Sequence, residues 1–241
     1  DRNHDGAVEQ LRVRDLDAQT GYYCDGVALD VLTAHGDRVV LGRGTTPIVI
    51  LEHAPELQHA PRGEAGLFHT AIVFDSREAL AAAVFSLATR YPGTFTGSSD
   101  HLVSNAFYFD DPEGNGVELY WDRERTEWSW VHGQLEMGTL FLDPNAFLRE
   151  YLTEASREDA RVGAAQVGHV HLQVGDVTTA HEFYVDRLGF DLTMSYGRQA
   201  IFVSAGGYQH HMAMNTWNSA GAGPRTPGLG LSLIEIDVPT A

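Results

Sequence analysis

An internal repeat that aligns without a gap limits the folds open to this chain. Residues 8–30 align with residues 169–191. The identical positions include Val13 with Val174, Asp15 with Asp176, Tyr23 with Tyr184, Asp25 with Asp186, and Asp30 with Asp191. Chance is a weak explanation for so many matches in one register. We therefore expect one structural unit to recur along the chain.

The two copies have the same order of predicted elements. An alternating apolar and polar run predicts a half-buried strand. Asp15 in the first copy and Asp176 in the second then stand where a helix N-cap is expected. A helical segment and short apolar runs follow, so the unit is predicted to be β-α-β-β-β.

Two further copies complete the pattern. Between the aligned segments, residues 68–74 predict a strand, and an Ala-rich helix is predicted from Ser76, its N-cap, to about residue 91. Residues 106–109 and 117–121 predict later strands of this second module. Residues 229–236 predict the first strand of a fourth module.

These modules predict an α+β fold. We expect a first domain over residues 1–121 (modules 1 and 2), a linker with one helix over residues 122–166, and a second domain over residues 167–241 (module 3 and the start of module 4). One module cannot bury its apolar sheet face alone. Modules are therefore predicted to pair into curved eight-stranded open barrels, each around a cavity.

Charge and cysteine content narrow the partners and the compartment. The chain has 33 acidic and 16 basic residues and a net charge of −17. So acidic a surface repels nucleic acid and anionic membranes, and neither is an expected partner. The single cysteine, Cys24, cannot build a disulfide framework, which favours a reducing compartment and predicts a cytoplasmic location.

Three segments carry a resemblance to a known superfamily: residues 169–190, 202–212 and 100–118. They resemble the vicinal oxygen chelate proteins, which include glyoxalase I, bleomycin resistance proteins and extradiol dioxygenases. Within that group they are more similar to bacterial two-domain catechol 2,3-dioxygenases than to glyoxalases. The resemblance implies the paired-module fold predicted above, and also a homo-oligomer.

The resemblance also implies where a metal would bind. In this superfamily, ligands come from the first strand of each paired module and from a last strand. The corresponding positions here hold Val8, His69 and His169 on first strands, and Glu118 on the last strand of module 2. His69, His169 and Glu118 form the only complete set. That set requires module 2 to pair with module 3 and leaves modules 1 and 4 as a metal-free partner.

Two histidines and one carboxylate leave three positions open on an octahedral ion. This arrangement suits non-haem Fe(II) that must hold a chelating substrate together with oxygen. Mn(II) would tolerate the same ligands, whereas redox-silent zinc fits less well. The resemblance therefore implies an enzyme that inserts O2 into a small aromatic diol of the catechol type.

Five other residues have roles implied by the resemblance or by strand geometry. His211 matches the histidine that moves a proton from substrate to oxygen, and Tyr108 and His101 match groups that hydrogen-bond the substrate. His171 lies two residues after His169, hence on the same face of a strand. We expect His171 and His210 to line the substrate pocket.

Three less specific interpretations stay open. A histidine on an apolar strand is commonly a hydrogen-bonded core residue. The same fold also carries glyoxalase-like metal-dependent isomerases or lyases, which usually need two last-strand carboxylates. It further carries non-catalytic resistance proteins that bind a small molecule without metal.

Overall fold

The structure is a computed structural model and describes residues 7–236. Its strands are β1 Val8–Val13, β2 Asp30–His35, β3 Arg38–Arg43, β4 Thr46–His53, β5 Gly66–Phe74, β6 Phe95–Asp100, β7 Ser104–Asp110, β8 Gly116–Asp122, β9 Trp130–Val131, β10 Gln134–Leu135, β11 Ala165–Gln173, β12 Asp191–Tyr196, β13 Ala200–Ser204, β14 Met212–Asn215 and β15 Gly230–Glu235. Its helices are α1 Leu16–Gly21, α2 Arg77–Arg90, α3 Pro144–Tyr151, α4 Glu154–Glu158 and α5 Val177–His181.

The helices begin at the residues that the sequence predicts. Asp15 and Asp176 accept hydrogen bonds from backbone amides of α1 and α5, at 2.9 and 2.7 Å. Ser76 does the same for α2 at 3.1 Å. Both copies of the repeat then share an unpredicted feature, because α1 and α5 each continue as a π-helical turn, over Tyr22–Gly26 and Glu182–Arg187. The repeat therefore extends to local backbone geometry.

The eight-stranded sheet confirms that module 2 pairs with module 3. Its strand order is β12-β13-β14-β11-β5-β8-β7-β6, so β5 and β11, the first strands of the two modules, lie side by side at its centre. They run antiparallel, and each is paired in parallel with the last strand of its own module, β8 or β14. The two halves are therefore related by an approximate two-fold axis between the central strands.

Module 1 and the start of module 4 form a second sheet of five strands, in the order β15-β1-β4-β3-β2. The eight-stranded sheet joins strands from both sides of the predicted linker, so the sheets do not follow the chain-order division into 1–121 and 167–241. In the linker region, α3 and α4 take the place of the single expected helix, and both pack on α2. The division into folding domains stays a prediction.

The two sheets share one apolar core. Its fully buried members come from the five-stranded sheet, from α2 and from the eight-stranded sheet, for example Leu11, Ile48, Leu80, Phe107 and Val203. Between residues 7 and 236, no helix combines the length and the apolar character needed to cross a membrane.

A buried carboxyl group joins the two sheets. Glu9 on β1 is fully buried, and its Oε2 accepts a hydrogen bond of 2.6 Å from the Thr70 hydroxyl on β5. Its other oxygen, Oε1, has no hydrogen-bond partner among the described residues. Burial raises the pKa of Glu9 to about 8, which outweighs the lowering effect of the Thr70 bond. Glu9 is therefore protonated in the folded protein at neutral pH.

Replacement of Glu9 by glutamine should remove a pH dependence of stability. The folded-state pKa lies above the ordinary value of 4.5, so folding takes up a proton between these two pH values. The stabilisation of the folded state by this protonated carboxyl is complete below about pH 4.5 and is lost as the pH rises through about 8. Relative to Glu9→Gln, the wild-type free energy of unfolding should fall by at most about 1.4 kcal/mol per pH unit in that window.

Urea denaturation of both proteins at several pH values between about 5 and 8 measures this difference. Glu56→Gln is the matched control, because Glu56 is exposed. If the free energies of unfolding of wild type and Glu9→Gln differ by the same amount at every pH between about 5 and 8, the proposed effect of burial on Glu9 is wrong.

Candidate metal centre

His69, His169 and Glu118 meet at one point on the eight-stranded sheet. The Nε2 atoms of His69 and His169 lie 2.9 and 3.2 Å from Oε2 of Glu118. One ligand atom from each residue lies within 4.8 Å of the others, and all three side chains are buried. The structure therefore brings together the three residues that the resemblance implied as ligands.

Strand register explains how these residues meet. Ala71 on β5 lies opposite His169 of β11 on one side and beside Glu118 of β8 on the other. His69 is two residues before Ala71, hence on the same face. Since Ala71 carries only a methyl group, the side chains of His169 and Glu118 can lean over it and approach each other across β5.

The buried charges favour the protonation states that bind a metal. Burial raises the pKa of Glu118, but the favourable electrostatic interactions with His169 and His69 outweigh burial and hold that pKa well below its usual range. Burial lowers the pKa of His169, against the opposing effect of Glu118. The carboxylate is thus ionised near neutral pH, whereas His169 is neutral, as ligands must be.

The donor set fits a divalent cation. Although His69 Nε2 is 2.9 Å from Glu118 Oε2, this approach lacks hydrogen-bond geometry, and His69 Nε2 has no hydrogen-bond partner among the described residues. A buried nitrogen without a partner is costly to a folded protein. A metal ion shared with Glu118 and His169 would satisfy it.

The three residues stand at the wall of a cavity of about 850 Å³. The cavity is lined mainly by aromatic rings, methionines and small polar residues. Beside the candidate ligands, its walls contain Phe68, Gly97, Ser98, Ser99, His101, Ser104, Tyr108, Met137, Gly138, Thr139, His171, Met194, Tyr196, Phe202, Gln209, His210 and Trp217. A volume of this size matches sites for small organic ligands.

Tyr108 and His101 form a hydrogen-bonded pair in the cavity wall. His101 Nδ1 lies 2.6 Å from the carbonyl oxygen of Gly138, so this nitrogen carries the proton. In the neutral ring, Nε2 then accepts the bond of 2.6 Å from the Tyr108 hydroxyl. Burial and the negative charge of Glu118 raise the pKa of Tyr108, which keeps its hydroxyl protonated.

The structure places His210, not His211, in the cavity. The ring of His210 lies 4.0 Å from that of His169, and its Nδ1 is buried without a hydrogen-bond partner among the described residues. His211 does not line the cavity, and its Nδ1 accepts a hydrogen bond from the Ala205 amide. Adjacent residues in extended chain point to opposite sides. The assignment of proton transfer to His211 therefore does not fit this placement.

His171 lines the cavity in a fixed orientation. Asn215 donates from Nδ2 to His171 Nε2 at 3.0 Å, and the Asn215 amide is held by a bond from the Trp217 backbone. Nε2 accepts this hydrogen bond, so Nδ1 is the nitrogen of the His171 ring that the bond with Asn215 does not use. Burial lowers the pKa of His171 well below its usual value.

Sequence reasoning missed part of this wall. Residues 137–139 come from the predicted linker, where no local pattern marked them, yet they line the cavity beside His101. Phe68 and Trp217 are also unpredicted wall residues. The position of Asn215 at the end of β14, beside Gln173 of β11, could have indicated a partner for a nearby histidine.

Comparisons with known proteins agree with this geometry. The chain is 37% identical over 243 residues to the catechol-2,3-dioxygenase of Bacillus subtilis (strain 168), an alignment that covers 95% of this chain and 81% of that relative. Among solved structures, a Bacillus subtilis protein assigned as a dioxygenase has a TM-score of 0.61 at 14% identity and covers 94% of this chain and 67% of its own. Glyoxalase I from Zea mays has a TM-score of 0.58 at 16% identity, with coverages of 96% and 74%.

The two solved structures have sequence identities of 14% and 16% to this chain, and such low values show a shared fold alone. Residues 166–239 match the family described as the Glyoxalase/Bleomycin resistance protein/Dioxygenase superfamily. Given this match and a relative 37% identical over nearly its whole length, the chain belongs to that superfamily, whose fold is the vicinal oxygen chelate fold.

Proposed function

We propose that this protein is an extradiol ring-cleaving dioxygenase that inserts O2 into a catechol-type substrate next to its two hydroxyls. The observation that carries the proposal is the convergence of His69, His169 and Glu118 within 4.8 Å at the wall of a large cavity. The similarity to a catechol-2,3-dioxygenase supports the same reaction class.

The proposed cofactor is Fe(II), with Mn(II) as the second choice. When bound by His69, His169 and Glu118, such an ion would supply open positions for both oxygens of a catechol and for dioxygen. The single carboxylate offsets only part of the divalent charge, which favours an anionic chelating substrate.

The side chains of the cavity then have separate tasks. The apolar walls exclude water from the bound ring. The Tyr108 hydroxyl, whose proton is donated to His101, can accept a hydrogen bond from a substrate hydroxyl. The Nδ1 atom of His210, which has no hydrogen-bond partner among the described residues, can accept a proton from a substrate hydroxyl and return it, which is the task that the resemblance implied for His211.

The glyoxalase-like alternative has less support. Such isomerases usually use two carboxylates, and Glu118 is the only carboxylate among the described residues that line the cavity. A non-catalytic binding protein would not need a buried ligand set with an unpartnered imidazole nitrogen. Metal analysis of the purified protein separates these functions, because zinc or nickel would favour an isomerase and no metal a binding protein.

Assembly into a homo-oligomer rests on the resemblance, and a cytoplasmic location rests on the single cysteine. Both stay predictions.

Replacement of either His69 or Glu118 by alanine should abolish both metal binding and ring cleavage, because two protein ligands do not hold the ion in place. Metal content after loading with Fe(II) measures the first effect, and the yellow colour of the ring-cleaved product from catechol under air measures the second. His59→Ala, at an exposed position, is the control. Full colour formation by a metal-free His69→Ala protein would refute the proposed centre.

Replacement of His210 by alanine should leave the metal in place and lower kcat by about 100- to 10,000-fold, the range for a lost general acid–base group. His211→Ala should keep kcat within about threefold, since its side chain is outside the cavity. Metal content and steady-state kinetics of both variants check this. The opposite ranking would restore the sequence-based assignment to His211.

Replacement of Tyr108 by phenylalanine should lower kcat/KM about 10- to 100-fold, because one hydrogen bond to the substrate is lost. Metal content should not change, since Tyr108 is not a ligand. Kinetics with catechol provide the measurement, and Tyr91→Phe, outside the cavity, is the control. An unchanged kcat/KM would assign Tyr108 to packing alone.

A further inference from the structure

The cavity is much larger than one chelated ring requires. A catechol bound through both oxygens to an ion at His69, His169 and Glu118 would occupy only the part of the cavity beside those residues. The whole cavity measures about 850 Å³, near the upper end of the range for drug-sized ligands. The remaining space must be filled by a substituent of the substrate or by water.

An aromatic cluster borders this space next to the metal centre. We define it as Phe68, His171, Phe202 and Trp217. His171 lies at its centre, with ring-centroid distances of 4.8 Å to Phe68, 5.9 Å to Phe202 and 5.6 Å to Trp217. The ring of His171 is also 4.8 Å from that of His69. The aromatic cluster therefore begins directly beside a candidate metal ligand.

Two aromatic side chains at the outer edge of this space are exposed to solvent. Trp217 is 44% exposed and Tyr196 is 58% exposed, although both line the cavity. Apolar surface left in contact with water favours a ligand that covers it. Aromatic rings favour another ring in edge-to-face or offset contact, so an aryl group suits this surface better than a polar chain.

Charge restricts the substituent further. Among the described residues that line the cavity, none is Arg, and the chain has no Lys. A carboxylate on the substrate ring would be buried against aromatic rings without a cationic partner. Such burial is costly, and the overall charge of −17 adds long-range repulsion.

We infer that the preferred substrate is a catechol bearing a second, uncharged aromatic ring, and that this ring binds against the aromatic cluster. The inference rests on the proposed ring-cleaving function and names the substrate class of that site.

Three substrates test the inference on unmodified, Fe(II)-loaded protein: catechol, 3-phenylcatechol and 2,3-dihydroxybenzoate. Burial of the second ring should raise kcat/KM for 3-phenylcatechol at least about tenfold above catechol. The carboxylated compound should fall at least about tenfold below catechol. Anaerobic calorimetry should give the same order of Kd, which provides a readout independent of turnover.

Variants test the location of the second ring. Phe202→Ala and Trp217→Ala should each lower kcat/KM for 3-phenylcatechol about tenfold and change that for catechol less than about threefold. Trp130→Ala, at an exposed tryptophan outside the cavity, is the matched control. Met194→Arg, which adds a cation to the wall, should improve binding of 2,3-dihydroxybenzoate.

The outcomes separate the two proposals. Cleavage of catechol as fast as, or faster than, 3-phenylcatechol, or tighter binding of the carboxylated compound, overturns the substrate inference and leaves ring cleavage intact. Failure of the metal-loaded protein to cleave any of the three compounds overturns both.

Discussion

The site depends on the antiparallel pairing of β5 with β11, the first strands of modules 2 and 3. This pairing sets His171 opposite His69 and His169 opposite Ala71, while β8 brings Glu118 level with Ala71. A shift of one residue in the pairing of β5 with β11 would turn a candidate ligand to the other face of the sheet. The methyl group of Ala71 is as necessary as the ligands, since a larger side chain there would fill the space in which they meet.

Two buried carboxyl groups show how neighbouring side chains decide whether burial neutralises a charge. Glu9 and Glu118 are both almost fully buried. Glu9 accepts a hydrogen bond from the Thr70 hydroxyl and takes up a proton, whereas Glu118 stands between two imidazoles and stays ionised. The first therefore joins two sheets as a neutral hydrogen-bonding group. The second is a negative point in an apolar wall, which is what a cation site requires.

The repeat and the helix caps could be read from the sequence because each rests on a local pattern, whereas the pairing of module 2 with module 3 followed from the ligand set that the resemblance implied. Asp15, Ser76 and Asp176 cap helices through their own side chains. The metal set could be inferred once the modules were aligned with a resembling superfamily. The repeat and the helix caps depend little on distant contacts.

Other parts of the site depend on contacts that no local pattern encodes. The orientation of the two adjacent histidines, His210 and His211, is decided by where the chain enters β14, which begins at Met212, directly after them. Asn215 orients His171 only because β14 lies beside β11. The π-helical turns after α1 and α5 also lack a marker in the sequence. The positions of the two histidines and of Asn215 are set only when strands distant in sequence are paired.

The cavity wall at residues 137–139 belongs to the connection between the two modules that contain the candidate metal ligands, and Gly138 exchanges hydrogen bonds with His101 through its amide and carbonyl groups. The tether that joins the halves therefore also encloses the ligand. A circularly permuted chain opened at this point would keep the strands that carry the candidate ligands and the pairing of β5 with β11. It would nevertheless release one wall of the cavity. In this architecture, connectivity and enclosure cannot be engineered separately.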